Sequence, residues 1–255
     1  MENLKVTIIQ PDIVWENPGE NLTNYSTTIT AAGKTDLVIL PEMFTTGFSM
    51  NSENLYELMD GPTVNWMKDT AKFNKTAIIG SLIIKENGKI YNRAVWVFPD
   101  GSVSYYDKRH LFTMGQEHLH YSSGKEKLLV EYKGWRICPL ICYDLRFPVW
   151  SRNTDNIDLL IYVANWPAVR SQVWKTLLVA RAIENQVFCM GVNRTGIDGY
   201  GIKYSGDSAF IDAKGNANFM NDQPGFMTFE LNYQELHSFR KAFPVLNDRD
   251  KFTIE

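Results

Sequence analysis

Residues 137–148 have the sequence ICPLICYDLRFP, and this stretch decides how the rest of the chain is interpreted. Its apolar first part predicts a buried strand over Arg136–Ile141, with Cys142 at the end and a helix after Phe147 and Pro148. A cysteine on an apolar strand is usually inert core. At a strand-to-helix junction, however, a thiol can lie on a sharp turn beside free backbone N–H groups. Cys142 is therefore a candidate nucleophile.

Two other predicted strands end in ionisable side chains. Glu42 follows the apolar run Val38–Leu40 and Pro41, which cannot donate to a strand ladder and so ends the strand. Lys108 follows the last predicted strand of a meander over residues 76–107. Taken alone, each residue is more often a solvated surface charge. Together with the thiol they form a nucleophilic set, in which a carboxylate accepts the thiol proton and an ammonium group stabilises the oxyanion.

Composition narrows the class of protein. The chain has 255 residues, 44% hydrophobic and 22% charged, which is typical of a globular protein with a large core. The net charge is −3 without a long basic block, so nucleic-acid binding is disfavoured. Apolar runs are far shorter than the ~18 residues of a membrane span. An odd number of cysteines, three, fits a reducing compartment, and with no evident secretion signal we expect a cytoplasmic protein.

Short strands alternate with helices along the chain. The patterns predict strands at 5–9, 36–40, 128–132, 136–141, 159–163 and 187–192, an antiparallel meander over 76–107, and helices at 21–32, 64–73, 172–185 and 234–242. Glycines after Asn193 indicate a loop rather than a phosphate-binding motif. No linker divides the chain, so we expect one domain over residues 1–255, an α/β fold with helices covering the outer faces of packed sheets.

Three sequence blocks carry a resemblance to a known family. They are PEMF (41–44), DKRHLF (107–112) and CYDLRFP (142–148). In order and spacing they resemble the motif blocks of the nitrilase superfamily, carbon–nitrogen hydrolases with a Glu-Lys-Cys triad, and similarity continues through ANWP (164–167) and ARAIENQ (180–186). The resemblance implies the triad Glu42, Lys108 and Cys142, with Glu117 as the best match for a supporting glutamate. It also implies a four-layer α-β-β-α sandwich that forms homodimers.

Within the superfamily, PEMFTTGFSM (41–50) and NWPAVR (165–170) are most similar to the bacterial ω-amidases. The resemblance implies hydrolysis of the terminal amide of a small 2-oxo dicarboxylic acid monoamide, such as 2-oxoglutaramate or 2-oxosuccinamate. Two alternatives stay open: another amide, nitrile or N-carbamoyl substrate of the superfamily, or a catalytically silent binding protein on the same fold. Release of ammonia from an amide would exclude the silent protein.

The expected reaction needs no metal or organic cofactor. Glu42 takes the proton of Cys142, and the thiolate attacks the amide carbon. Lys108 and the backbone N–H of Tyr143 hold the oxyanion. Water, activated by Glu42, then hydrolyses the thioester.

Recognition of such a substrate requires a partner for its carboxylate, and an arginine fork binds a carboxylate with two parallel hydrogen bonds. We favour Arg170 over Arg146, because Arg146 lies beside Asp144 and can instead brace the turn through an ion pair. Phe48 and Trp166 are expected to form apolar walls.

His118 and His120 are a further candidate pair. Their spacing would place both imidazoles on one face of a strand, where they could bind a metal ion. No third ligand cluster accompanies them, so the favoured interpretation is a surface loop, or a histidine that supports a site residue without binding a metal.

Overall fold

The structure is a computed structural model that describes residues 2–254. The strands are β1 (Leu4–Gln10), β2 (Leu37–Ile39), β3 (Ala77–Glu86), β4 (Lys89–Val97), β5 (Val103–Asp107), β6 (Val130–Tyr132), β7 (Trp135–Ile141), β8 (Leu159–Val163), β9 (Phe188–Val192), β10 (Thr195–Ile197), β11 (Lys203–Ser205), β12 (Ala209–Ile211), β13 (Ala217–Phe219) and β14 (Gly225–Leu231). The α-helices are α1 (Pro18–Ala32), α2 (Ser52–Leu55), α3 (Pro62–Asn74), α4 (Glu117–His120), α5 (Ser171–Asn185) and α6 (Tyr233–Ala242).

Twelve of these strands form two six-stranded sheets. The first has the order β14-β1-β2-β3-β4-β5, and the second has the order β13-β12-β9-β8-β7-β6. Each sheet contains three neighbouring parallel strands, β1-β2-β3 in one and β7-β8-β9 in the other, with antiparallel strands at both edges. The carboxyl ends of parallel strands share one edge of a sheet, so the residues that follow β2, β7 and β8 are brought to common edges.

The alternation of side chains along the strands creates the layers. In β2, Leu37 and Ile39 belong to the large core that contains β7, β8 and β9, whereas Val38 packs in a separate cluster with α1 and α3. Helix α5 covers the second sheet through Trp174 and Leu178. The resulting order is helix, sheet, sheet, helix, and the expected α-β-β-α sandwich is confirmed.

Helix α1 begins earlier than the sequence pattern predicts. Pro18 is its first residue, because the first turn of a helix does not need the missing N–H and suits the proline φ angle. The Asn17 side chain accepts a hydrogen bond from the Glu20 amide at 3.2 Å and caps the turn.

The segment after Cys142 differs from the prediction. A short 310 helix, Cys142–Arg146, begins at the cysteine itself, and turns rather than a helix follow Pro148. Proline disfavours the helical conformation of the residue before it, so Phe147 ends the helix.

Two further elements were not predicted. Residues 195–205 form the hairpin β10-β11 instead of a loop, with Gly196 and Gly201 in the left-handed region of φ that glycine adopts at low cost. Strand β14 pairs along its whole length with β1 and forms an edge of the first sheet. Within residues 2–254, no helix is long and apolar enough to cross a membrane.

Candidate active site

Cys142 lies on a strained turn immediately after β7. Its φ angle is +44°, in the left-handed region, which costs a residue with a side chain ~1–2 kcal/mol. The 310 helix starts here, and the first amides of a helix lack partners within it. The N–H of Tyr143 is one of these amides, as an oxyanion donor would require.

The Asp144 carboxylate stabilises this turn through several hydrogen bonds. It accepts hydrogen bonds from the Ile141 amide at 3.0 Å, the Tyr106 hydroxyl at 2.8 Å, and the His110 amide and ring at 3.1 and 2.8 Å. Asp144 is fully buried and pairs with His110, and the alternative of an ion pair with Arg146 is not formed. Arg146 is thereby left available to the cavity described below.

Lys108 lies between two carboxylates, and all three side chains are fully buried. Its Nζ atom is 2.8 Å from Glu42 Oε1 and 3.0 Å from both oxygens of Glu117. Burial alone would lower the pKa of Lys108, but the Glu117 and Glu42 carboxylates outweigh it and raise that pKa above its ordinary value. The lysine is therefore an ammonium ion.

Glu117 reaches this cluster from α4, where it also accepts the Phe112 amide at 2.6 Å. Burial raises the pKa of Glu117; Lys108 opposes this shift and Glu42 adds to it. The geometry thus places Glu117 beside Lys108, in the position that a supporting glutamate would need.

Cys142 is also buried, with Sγ 3.9 Å from the carbonyl oxygen of Asn165. Burial raises the pKa of the thiol well above its ordinary value; the Glu42 carboxylate adds to this shift and Lys108 opposes it. The resting group is therefore a thiol rather than a thiolate. Attack on a substrate then requires a base that removes the proton during the reaction.

This ionisation state predicts how Cys142 reacts with iodoacetamide. Only the thiolate is alkylated, so the rate should keep rising with pH up to at least the ordinary thiol value of 9.0, without a plateau near neutrality. Alkylation quenched at successive times, with mass spectrometry of the peptide that contains Cys142, measures the rate at each pH. A plateau below pH 7 would instead indicate a preformed thiolate.

Two asparagines complete the cluster, and the sequence analysis assigned no role to either. Asn92 Nδ2 donates to Glu42 Oε1 at 2.8 Å and Glu117 Oε1 at 3.1 Å. The backbone N–H of Asn165 donates to Glu42 Oε2 at 2.8 Å, and its side chain donates to the Glu42 carbonyl at 2.6 Å. A signal existed for both: Asn92 interrupts an apolar strand, where a buried amide needs partners, and Asn165 follows a buried strand as Glu42 does.

A cavity of about 130 Å³ opens beside this cluster. Its walls include Lys108, Cys142 and Tyr143, and all four residues expected to bind the substrate: Phe48, Arg146, Trp166 and Arg170. The Arg146 guanidinium lies 5.0 Å from the Trp166 ring, and that of Arg170 lies 5.5 Å from the Phe112 ring. Within residues 2–254 neither of these two guanidinium groups forms an ion pair with a carboxylate. The cavity therefore presents two cations that a ligand could neutralise.

The hairpin β10-β11 supplies another wall, which the sequence analysis missed. Asp198, Tyr200 and Tyr204 line the cavity from this side. The Asp198 carboxylate is already engaged by the Tyr204 hydroxyl at 2.8 Å and by the amides of Tyr200 and Ile202 at 2.9 Å each. These three hydrogen bonds hold the Asp198 carboxylate in the cavity wall.

His118 and His120 lie on α4, not on a strand, and both are exposed. The part of the chain that the structure describes contains no group of three or more histidine, cysteine, aspartate or glutamate side chains arranged to hold a metal ion.

Fold and site together define a class: a hydrolase that carries a buried thiol, a carboxylate and an ammonium group at the strand ends of an α-β-β-α sandwich. The carbon–nitrogen hydrolase family model matches residues 5–238, and the chain belongs to this family. The nitrilase resemblance is confirmed, and the protein is a hydrolase of carbon–nitrogen bonds other than peptide bonds.

Known proteins of this family are similar to the chain over nearly its whole length. The chain is 44% identical to omega-amidase YafV of Yersinia enterocolitica, covering 100% of both proteins, and 35% identical to the 2-oxoglutaramate amidase of Bacillus subtilis, covering 95% of this chain and 96% of that one. The crystal structure of XC1258 from Xanthomonas campestris, a CN-hydrolase superfamily protein with an arsenic adduct in its active site, superimposes with a TM-score of 0.97 at 43% identity, covering 100% of both chains.

Proposed function

We propose that the protein releases ammonia from the terminal amide of a small 2-oxo dicarboxylic acid monoamide, 2-oxoglutaramate or 2-oxosuccinamate. One observation carries this proposal: Arg146 and Arg170 line the same small cavity as Cys142. A carboxylate at the far end of the substrate would neutralise a guanidinium while the amide lies at the thiol. The names of the two relatives, omega-amidase and 2-oxoglutaramate amidase, support the same substrate class.

In the first half of the reaction, Glu42 takes the proton from the Cys142 thiol as Sγ attacks the amide carbon. The carbonyl oxygen becomes an oxyanion, which the Lys108 ammonium and the Tyr143 N–H stabilise. The proton then passes from Glu42 to the amide nitrogen. The carbon–nitrogen bond breaks, ammonia leaves, and a thioester remains on Cys142.

In the second half, a water molecule attacks the thioester. Glu42 takes its proton, the same oxyanion donors act again, and the carbon–sulfur bond breaks. The proton returns to the departing sulfur, which restores the thiol and releases the dicarboxylic acid. Glu117 holds Lys108 in place through both of its oxygens, at 3.0 Å each.

Substrate preference tests the proposal directly. Ammonia release should be fast with 2-oxoglutaramate and slow with aliphatic amides and nitriles, since only the oxo-acid amide offers a carboxylate to the arginines. Preference for a nitrile, an N-carbamoyl compound or a simple amide would overturn the substrate assignment and leave the family reaction intact.

Replacement of the arginines tests the carboxylate anchor. Arg170→Met should raise KM for 2-oxoglutaramate at least about tenfold and leave KM for a small neutral amide unchanged, because a charge-assisted hydrogen bond contributes ~1.5–3 kcal/mol. Arg146→Met is the matched variant at the other arginine of the cavity, and initial rates with both substrates show which of the two arginines binds the carboxylate. Unchanged KM in both variants, or equal effects on both substrates, would remove the arginines from substrate recognition.

We further propose one domain over residues 1–255, a cytoplasmic location and a homodimer. The three free, buried cysteines are compatible with a reducing compartment. Sedimentation at micromolar concentration tests the dimer, and a monomer there would overturn it.

A further inference from the structure

Asn92 forms hydrogen bonds to Glu42, Glu117 and the backbone of Lys108. Its side chain donates to Glu42 and Glu117, and its backbone carbonyl accepts the Lys108 amide at 3.0 Å. It lies on β4, is fully buried and does not line the cavity. None of the roles described above is assigned to this residue.

The chemistry of its neighbours sets the orientation of the Asn92 amide. The Ser81 hydroxyl accepts the Met43 amide at 2.8 Å, so its own hydrogen is directed to Asn92 Oδ1, also at 2.8 Å. A flipped amide would direct Oδ1 at two carboxylates and repel both. Both amide hydrogens therefore point at Glu42 and Glu117.

The cluster contains two carboxylates and only one ammonium group, and the Asn92 donors partly compensate for this difference. Glu42 and Glu117 share the single positive charge of Lys108 in a site without solvent exposure. Two buried carboxylates near one cation favour uptake of a proton by the pair. Hydrogen bonds to the ionised form oppose this uptake, and Asn92 gives one to each carboxylate.

We propose that Asn92 is a positioning residue, which holds Glu42 ionised and oriented as the general base by dividing its two amide hydrogens between Glu42 and Glu117. The inference rests on the catalytic roles proposed for Glu42 and Lys108, but not on the identity of the amide. Because Asn92 acts through Glu42 and does not line the cavity, it affects the chemical step and not substrate binding.

Asn92→Leu tests this role, since leucine has a similar volume and no donor. We expect kcat to fall about 10–100-fold at neutral pH, within the usual range for an impaired general base, with KM changed less than about twofold. The acidic limb of the pH profile of kcat/KM should move up by about one pH unit, because carboxylates that lose a donor hold a proton more tightly.

Two control variants separate positioning from stability. Asn185→Leu removes a fully buried asparagine outside the cluster, whose side chain accepts a hydrogen bond from the Asn153 amide at 2.8 Å and donates one to the Arg181 carbonyl at 3.0 Å. This variant should lower Tm without moving the acidic limb. Ser81→Ala leaves the Asn92 amide in place but removes its anchor, so it should move the limb in the same direction by less. It also keeps the proposal testable if Asn92→Leu does not fold.

If kcat falls in Asn92→Leu and the acidic limb moves neither there nor in Ser81→Ala, Asn92 is only a structural contact and the proposal is overturned. A rise in KM without a fall in kcat would overturn it as well. Failure of the wild-type protein to hydrolyse 2-oxoglutaramate overturns only the proposed substrate.

Discussion

Cys142→Ala is expected to abolish amide hydrolysis, with a loss of at least ~10⁴-fold in kcat and an unchanged fold. Removal of the nucleophile ends the covalent route, and the remaining oxyanion donors cannot replace it. Alanine accepts the same backbone at φ +44° at a similar cost, so the turn should persist. Ammonia release and circular dichroism on one preparation measure both parts of the prediction.

The other two cysteines provide matched controls. Cys138 and Cys189 are fully buried on β7 and β9 and do not line the cavity, so neither should react with iodoacetamide at neutral pH. Their alanine variants should lose roughly 1–2 kcal/mol of stability and keep most of the activity. A kcat of Cys142→Ala above a tenth of the wild-type value would contradict the assignment of Cys142 as the nucleophile.

Glu42→Gln is expected to lower kcat by at least ~100-fold, the usual contribution of a general base. Lys108 and Asn92 donate hydrogen bonds to Oε1 of this carboxylate and the Asn165 amide donates to Oε2, each at 2.8 Å. A glutamine must point its NH2 group at one of them, so some loss of Tm should accompany the loss of rate. Steady-state kinetics together with thermal melting quantify both effects.

Glu53→Gln is the matched control for this substitution. Glu53 forms an exposed ion pair with Lys85 at 2.9 Å, and its side chain is 72% exposed. Such pairs contribute little to stability, so both kcat and Tm should stay near wild type. Wild-type rates in Glu42→Gln itself would return Glu42 to a structural role.

The local pattern was sufficient to predict most strands and the positions of Glu42, Lys108 and Cys142. Buried apolar runs such as β2 and β7 are visible in a few consecutive residues, and Pro41 marks where the first of them ends. The three motif blocks then implied the sandwich, since they match in order and spacing. The short strands could not be predicted in this way. Strands β10 and β11 have three residues each, which is too few for a periodic pattern to be recognised.

Pairing between distant segments decided the rest. Asn92 and Asn165 lie 50 and 123 residues from Glu42, and no local pattern shows that their donors meet one carboxylate. The same holds for Asp144, whose bonds to His110 and Tyr106 leave Arg146 to the cavity. The sequence by itself determined which residues can do the chemistry, because residue type and strand ends are local properties. The tertiary structure decided which donor faces which acceptor, because that depends on the register and packing of two sheets.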